Sequence, residues 1–311
     1  MKRHAVLEEI HRAYQPRSYL EIGINTGRSL ALSRTRTIAV DPAFKIKSEI
    51  HCDLQVVKAT SDDFFARDEG LDHFPDRRVD LAFVDGLHLF EFALRDFMNV
   101  ERHAHWASVI VVDDVLPRNV AEASRDRGTR AAWAGDVFKL TEVLAKHRPD
   151  LLLLPLDTDP TGVLLVLGAD PQNSVLEEKY DEIVAEYVYP DPQRVPEAVL
   201  RRKTAVDSAS IVYSDIWVEL RKARESGLGH ETAWEGVRRS IEAAARPATR
   251  RELAPEPARE RANAPEPRRS ARRKRDGKVS PPPATTRRML AGVRRRLRPP
   301  RRRLRRLGEP T

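Results

Sequence analysis

Residues 19–30 read YLEIGINTGRSL, and residues 39–42 read AVDP. An apolar, strand-like run ends in Glu21; Gly23 and Gly27 follow, and the residues around 27–34 read as a helix. A second apolar run then ends in Asp41. In an open parallel sheet, ligands sit beyond the carboxyl ends of the strands, where the strand order reverses. Gly23 and Gly27 permit a tight turn and a close backbone approach there. The dinucleotide fingerprint G-x-G-x-x-G is absent, because Glu21 stands where its first glycine belongs and the spacing differs. No G-K-[ST] follows, which excludes a P-loop. A carboxylate at this place repels a pyrophosphate but suits a ligand carrying an ammonium or sulfonium group. Asp41 is placed to accept hydrogen bonds from both hydroxyls of a ribose.

Outward from this loop, short apolar runs alternate with helical patterns. The strand candidates are 18–22, 37–40, 79–84, 108–112, 151–156 and 162–167, with a further strand expected just before 59–65. Helices are expected near 4–14, 27–34, 61–67, 89–104 and 135–146. Leu89, Phe92, Ala93, Phe97 and Val100 form an apolar stripe at helical spacing, and Glu91 and Arg95 stand four apart on another face. Such alternation predicts an α/β fold: a Rossmann-like, doubly wound, seven-stranded sheet that is mostly parallel. The last two runs are joined by DTDPT, too short for a crossover helix, so they form an antiparallel hairpin. Residues 172–189 and 206–226 read as helical.

Charge divides the chain further. Residues 246–311 hold 23 Lys+Arg and 6 Asp+Glu, a net of +17, which leaves −9 for residues 1–245. The tail also holds 11 of the 22 prolines and no aromatic residue, so it cannot bury enough apolar surface to offset its ordering entropy and reads as disordered. The expected organisation is a ligand-binding domain over 1–170, a helical extension over 171–245 and a disordered Arg/Pro-rich tail over 246–311. Cys52 is the only cysteine, which excludes an intrachain disulfide and a C-x-x-C zinc site. The start of the chain resembles no signal peptide, and no apolar run is long enough for a transmembrane segment, so a cytoplasmic location is the expectation.

E-I-G-x-x-x-G followed by V-D-P resembles the class I S-adenosylmethionine-dependent methyltransferases, over roughly residues 15–170. The resemblance implies that Glu21, Gly23 and Gly27 contact the methionine portion of S-adenosylmethionine and Asp41 its ribose. It also nominates Ser61 and Asp62, in A-T-S-D-D-F-F after the third strand, for the adenine.

Two more strands end in acids: DLAFVDGLH (80–88) and VIVVDDV (109–115). Asp85, Asp113 and Asp114 should therefore converge at the same edge, where three carboxylates repel one another unless a cation or protons intervene. Hard oxygen ligands select Mg²⁺, Mn²⁺ or Ca²⁺ over zinc. The pattern looks like the metal-dependent O-methyltransferases, of the catechol type and of the type that methylates sugar hydroxyls. Here Asp114 replaces an amide of the catechol type, and D-G-x-H places His88 where those enzymes carry a lysine; the sugar-modifying branch is the nearer likeness. The resemblance implies Mg²⁺ (or Mn²⁺) held by Asp85, Asp113 and Asp114, with His88 as general base toward a small-molecule hydroxyl acceptor, a sugar or polyol. Asp85-Gly86 as a plain turn, and Asp113-Asp114 as a plain strand end, are the competing readings. Trp133, in the polar stretch after the fifth strand, is a candidate to stack on substrate, with core packing as the alternative.

Two other functions stay open. The basic tail suits an anionic surface or nucleic acid, as in a nucleic-acid methyltransferase, although no N-P-P-Y or D-P-P-Y motif occurs. A non-catalytic cofactor-binding scaffold is the third. Asp157-Thr158-Asp159 resembles a D-x-D nucleotide-sugar motif but reads better as the hairpin turn.

Overall fold

The computed structural model describes residues 1–129, 132–226 and 230–248. Seven strands form one sheet: β1 (Ser18–Ile22), β2 (Arg36–Val40), β3 (Leu54–Val57), β4 (Leu81–Val84), β5 (Val109–Asp113), β6 (Leu152–Leu156) and β7 (Val163–Leu167). Their order is β3-β2-β1-β4-β5-β7-β6. The first five pair in parallel, and β7 runs antiparallel to both β5 and β6. The mostly parallel sheet and its closing hairpin are as expected from the alternation of elements. The order reverses between β1 and β4, which sets the ends of these strands as the ligand crevice.

Both faces of the sheet are buried, which is why its strands read as continuous apolar runs rather than alternating ones. One face packs against α2 (Ser61–Phe65), α3 (Phe90–Arg102), α4 (Lys139–His147), α5 (Val175–Glu178) and α6 (Tyr180–Tyr187). The apolar stripe of α3 meets this face through Ala93, Phe97 and Val100, all buried. The opposite face packs against α1 (Arg3–Tyr14), α8 (Ser208–Val212), α9 (Ile216–Glu225) and α10 (His230–Ala244). Here Val6, Leu7 and Ile10 of α1 share a core with Ile211, Trp217 and Leu220. A short α7 (Glu197–Leu200) links the two sets.

The helix expected over 27–34 is not formed: only a 3₁₀ turn, Leu30–Leu32, stands between β1 and β2. The connection is short and its serines are engaged elsewhere. Ser29 donates to Glu21 and Ser33 bonds Thr37, so the backbone is held down onto the strands. The Glu91–Arg95 pair expected along α3 is absent as well. Arg95 instead grips Asp62, and Glu91 pairs with Arg125, because partners from other elements offer bidentate geometry that the helix surface does not.

The residues 157–161 that join β6 to β7 form the hairpin turn, and Asp157 is ion-paired to Arg202 there. Residues 246–248 lie along 205–207, through Asp207 N–H to Arg246 O (2.8 Å) and Ala248 N–H to Ala205 O (2.9 Å). The remainder of the expected disordered tail, 249–311, lies outside the described residues. Among the described residues, no helix is long and apolar enough to cross a membrane.

Candidate active site

Register brings the acids together. Glu21 stands beside Phe83, Ile22 beside Val84, and Val84 beside Val112, so the residues after β1, β4 and β5 leave the sheet at one level. Gly23 has φ +92°, and a Cβ there would lie 1.9 Å from the Asp85 carbonyl oxygen. The loop after β1 thus rests directly on the backbone after β4, an approach only glycine allows. Gly27 (φ +76°) closes the turn by donating to Ile24 O at 2.8 Å.

Asp41 holds this loop from the next strand. Its Oδ2 accepts from the Ile24 and Asn25 N–H groups at 2.8 and 3.0 Å, and its Oδ1 from Ala43 N–H at 2.6 Å. Glu21 lies beneath the loop, fully buried, and accepts from the Tyr19 hydroxyl (2.7 Å) and from Ser29 (2.8 Å). Burial outweighs these two hydrogen bonds and pushes its carboxyl up to about 8. Ser61 opens α2 and bonds Asp96 of α3, while Asp62 is held bidentately by Arg95, with contacts of 2.7–3.2 Å. The two residues nominated for adenine therefore join α2 to α3 in this structure.

Around the end of β5 the charges alternate in one unbroken chain. Asp113 is ion-paired to Arg3, whose other nitrogen lies 3.5 Å from Asp85 Oδ2. Asp85 Oδ1 accepts from His88 Nε2 at 3.1 Å, and His88 Nδ1 lies 2.9 Å from Asp114 Oδ2. Thr161, in the hairpin turn, donates to Asp114 Oδ1 at 2.5 Å. Asp114 itself takes φ +66°, which turns its side chain away from that of Asp113 and toward His88. Burial alone would push the His88 imidazole down, but its bonds to Asp114 and Asp85 win and push it up to about 11. Asp113 is held well above the usual carboxylate range, first by burial and then by Asp114 and Asp85, which the nearby Arg3 offsets only in part.

Ligand atoms of Asp85, His88 and Asp114 lie within 4.8 Å of one another. The two carboxylates are hard oxygen donors of the kind that suits Mg²⁺ or Mn²⁺, whereas the imidazole is not. Asp113 stands beside the trio rather than in it, and its Oδ1 is buried with no hydrogen-bond partner. Asp96 Oδ1 is likewise unpartnered, and both acids line one small cavity beneath Asp85 and Gly86.

A cover lies over this edge. Trp133 stacks on His88, with centroids 5.0 Å apart and planes at 21°, and its carbonyl oxygen lies 3.0 Å from His88 Nδ1. The Arg127 guanidinium lies 5.6 Å from the Trp133 ring centroid. Trp133 thus packs on the histidine, where substrate stacking was one of two expectations. Asp191, in the linker after α6, fastens the cover by accepting from Ser124 Oγ and from the N–H groups of Arg125 and Asp126. Buried Lys139 ties Asp136 to Tyr187 O and Gln193.

Sequence reasoning missed Arg3, Asp96 and Thr161. Asp96 had a signal, being a charge set among the apolar positions of α3. Arg3 and Thr161 had none, since each reaches the site only through packing of distant segments.

Residues 20–115 match the family model of a methyltransferase domain. Among solved structures, the O-methyltransferase TomG from Streptomyces achromogenes, involved in tomaymycin synthesis and in complex with SAM, is 21% identical. The match covers 54% of this chain and 79% of that one, at a TM-score of 0.41. Cofactor-bound Rv0187 from MTB is 19% identical over 54% of this chain and 79% of that one, at a TM-score of 0.39. MycE methyltransferase from the mycinamycin biosynthetic pathway, in complex with Mg and SAH, is 17% identical over 53% and 49%, at a TM-score of 0.36. No curated protein matches the chain. The family match spans the glycine loop, Asp41, Asp85, His88, Asp113 and Asp114.

Proposed function

We propose that the chain is a methyltransferase that uses S-adenosylmethionine to methylate a hydroxyl group of a small molecule, a sugar or polyol, with a divalent ion assisting. The observation that carries this reading is the meeting of Asp85, His88 and Asp114 at the strand edge on which the Gly23 loop rests. Residues 1–170 would hold the reacting groups, while α8, α9 and α10 join α1 on the second face of the sheet. Gly23 and Gly27 would admit the methionine portion of the cofactor. Asp41 would shape the loop and offer a ribose partner at its rim, while Ser61 and Asp62 would border the adenine.

Asp85 and Asp114, with Asp113 adjoining, would hold Mg²⁺ or Mn²⁺, which leaves His88 beside them to take the substrate proton. When bound, such an ion lowers the pKa of a substrate hydroxyl and orients it. The chain's own part is to place that hydroxyl and to take its proton. His88 is the base in this reading. It serves so only when Asp85 and Asp114 are engaged elsewhere, since their contacts with the ring favour its protonated form. Trp133 keeps the imidazole plane fixed and excludes water from one side.

The test is transfer of labelled methyl from S-adenosylmethionine to a panel of sugars and polyols, with and without chelator. Chelation should stop turnover and Mg²⁺ or Mn²⁺ restore it. His88→Ala should slow the chemical step by roughly 10²–10⁴ while S-adenosylhomocysteine affinity is unchanged. Full activity in excess chelator would remove the ion from the reading; loss of metal binding in His88→Ala would make the histidine a ligand instead of the base.

A further inference from the structure

The alternating chain Asp113–Arg3–Asp85–His88–Asp114 has one member from outside the loops of the sheet edge. Arg3 is the first residue of α1 and lies far from the other four in sequence. Its placement is specified from several sides. Asp159 N–H donates to Met1 O at 2.7 Å, and Lys2 forms a β-bridge with Asp159, so the chain start is fastened to the hairpin turn that also holds Asp114 through Thr161. Behind it, Val6, Leu7 and Ile10 bury α1 against the sheet. The guanidinium, three-quarters buried, then bridges Asp113 and Asp85. A cation so held is not a surface ion pair that solvent readily replaces.

We propose that Arg3 is a built-in cation of this site, and that it sets how tightly the site holds a divalent ion. The inference rests on the metal reading above. Arg3 lies against two of the three acids, so part of the charge that would draw in a metal ion is already neutralised by the chain itself. An incoming ion must take Asp85 from both of its partners and stand close to a guanidinium that the packing of α1 keeps in place. Arg3 therefore weakens metal binding at rest, and its withdrawal, or a substrate group that engages it, strengthens that binding. The arrangement would favour metal capture together with substrate rather than before it.

The test measures Mn²⁺ binding to the full chain without cofactor, by the electron paramagnetic resonance signal of free Mn²⁺. Wild type is compared with Arg3→Gln, Arg3→Met and Arg3→Lys; Met retains much of the aliphatic stem that packs at the site. Arg3→Gln and Arg3→Met should bind Mn²⁺ about ten- to a hundredfold more tightly, the equivalent of losing one charged hydrogen-bonded partner. Arg3→Lys should stay near wild type, and S-adenosylhomocysteine affinity should be the same in all four. If all four bind Mn²⁺ equally, or the neutral variants bind it less tightly, Arg3 is not the built-in cation and the metal reading stands. If none binds Mn²⁺, the metal reading itself falls and this inference with it. Circular dichroism confirms the fold of each variant, and either neutral variant alone suffices.

Discussion

Gly23→Ala tests the contact that joins the glycine loop to the acid-bearing edge. Two penalties add. A residue with a Cβ at φ +92° costs roughly 1–2 kcal/mol in backbone strain. The new methyl would also lie 1.9 Å from the Asp85 carbonyl oxygen and 2.5 Å from its carbon, far inside van der Waals contact. The loop or the backbone at Asp85 must retreat by about 1.6 Å, since heavy-atom contacts are close to 3.5 Å or more. Retreat strains the bonds that set this level: Gly23 N–H to Val40 O (2.9 Å), Asp85 N–H to Ile22 O (2.8 Å) and the Asp41 bonds to the loop. Losing one such buried bond costs about 1–3 kcal/mol. The total, on the order of 3–4 kcal/mol, lowers the melting temperature by roughly 10 °C in a fold of this size. A displacement of the ligand loop by that much should also weaken S-adenosylhomocysteine binding. Thermal unfolding and calorimetric titration read the two effects separately. Gly236→Ala is the control: its Cβ would meet nothing within 4 Å, so on a helix it should be neutral or slightly stabilising. A Gly23→Ala protein that melts with wild type and binds the ligand normally would refute the close approach of loop and strand end.

Two further expectations follow from the carboxylates beneath and beside that loop. Glu21 has its folded carboxyl raised from 4.5 to about 8 by burial, so the fold holds it neutral while the unfolded chain ionises it. Stability is then full below about pH 4.5 and falls as pH rises toward 8, by on the order of 3 kcal/mol at pH 7. Urea midpoints at pH 5 and 8 should show a clearly smaller fall for Glu21→Gln than for wild type; equal falls would mean that Glu21 is ionised inside the fold. Asp41→Ala leaves the N–H groups of Ile24, Asn25 and Ala43 without their acceptor. It should cost about 1.5–3 kcal/mol in loop order and weaken S-adenosylhomocysteine binding about ten- to a hundredfold. Unchanged affinity by calorimetry would remove Asp41 from the site.

The sequence by itself determined the layer architecture and the place of the site. Strands buried on both faces are mostly apolar, and the runs 81–84 and 109–112 are so throughout. Carboxylates after such runs fall at one edge, because parallel strands leave the sheet at the same end. The DTDPT link was too short to cross the sheet, which determined the antiparallel hairpin. What only the tertiary structure decided is where each charge goes. The stretch 27–34 carries a helical pattern, yet Ser29 and Ser33 are drawn to Glu21 and Thr37, and the helix reduces to one 3₁₀ turn. Arg95 leaves the neighbour on its own helix for Asp62, and Glu91 takes Arg125 from the cover over the site. Asp113 and Asp114 are adjacent in sequence, but a left-handed turn at Asp114 sends one to Arg3 and the other to His88. Periodicity reports burial, which is summed over a whole element. An ion pair depends on two side chains meeting within about 4 Å, and packing alone brings such partners together from opposite ends of the chain.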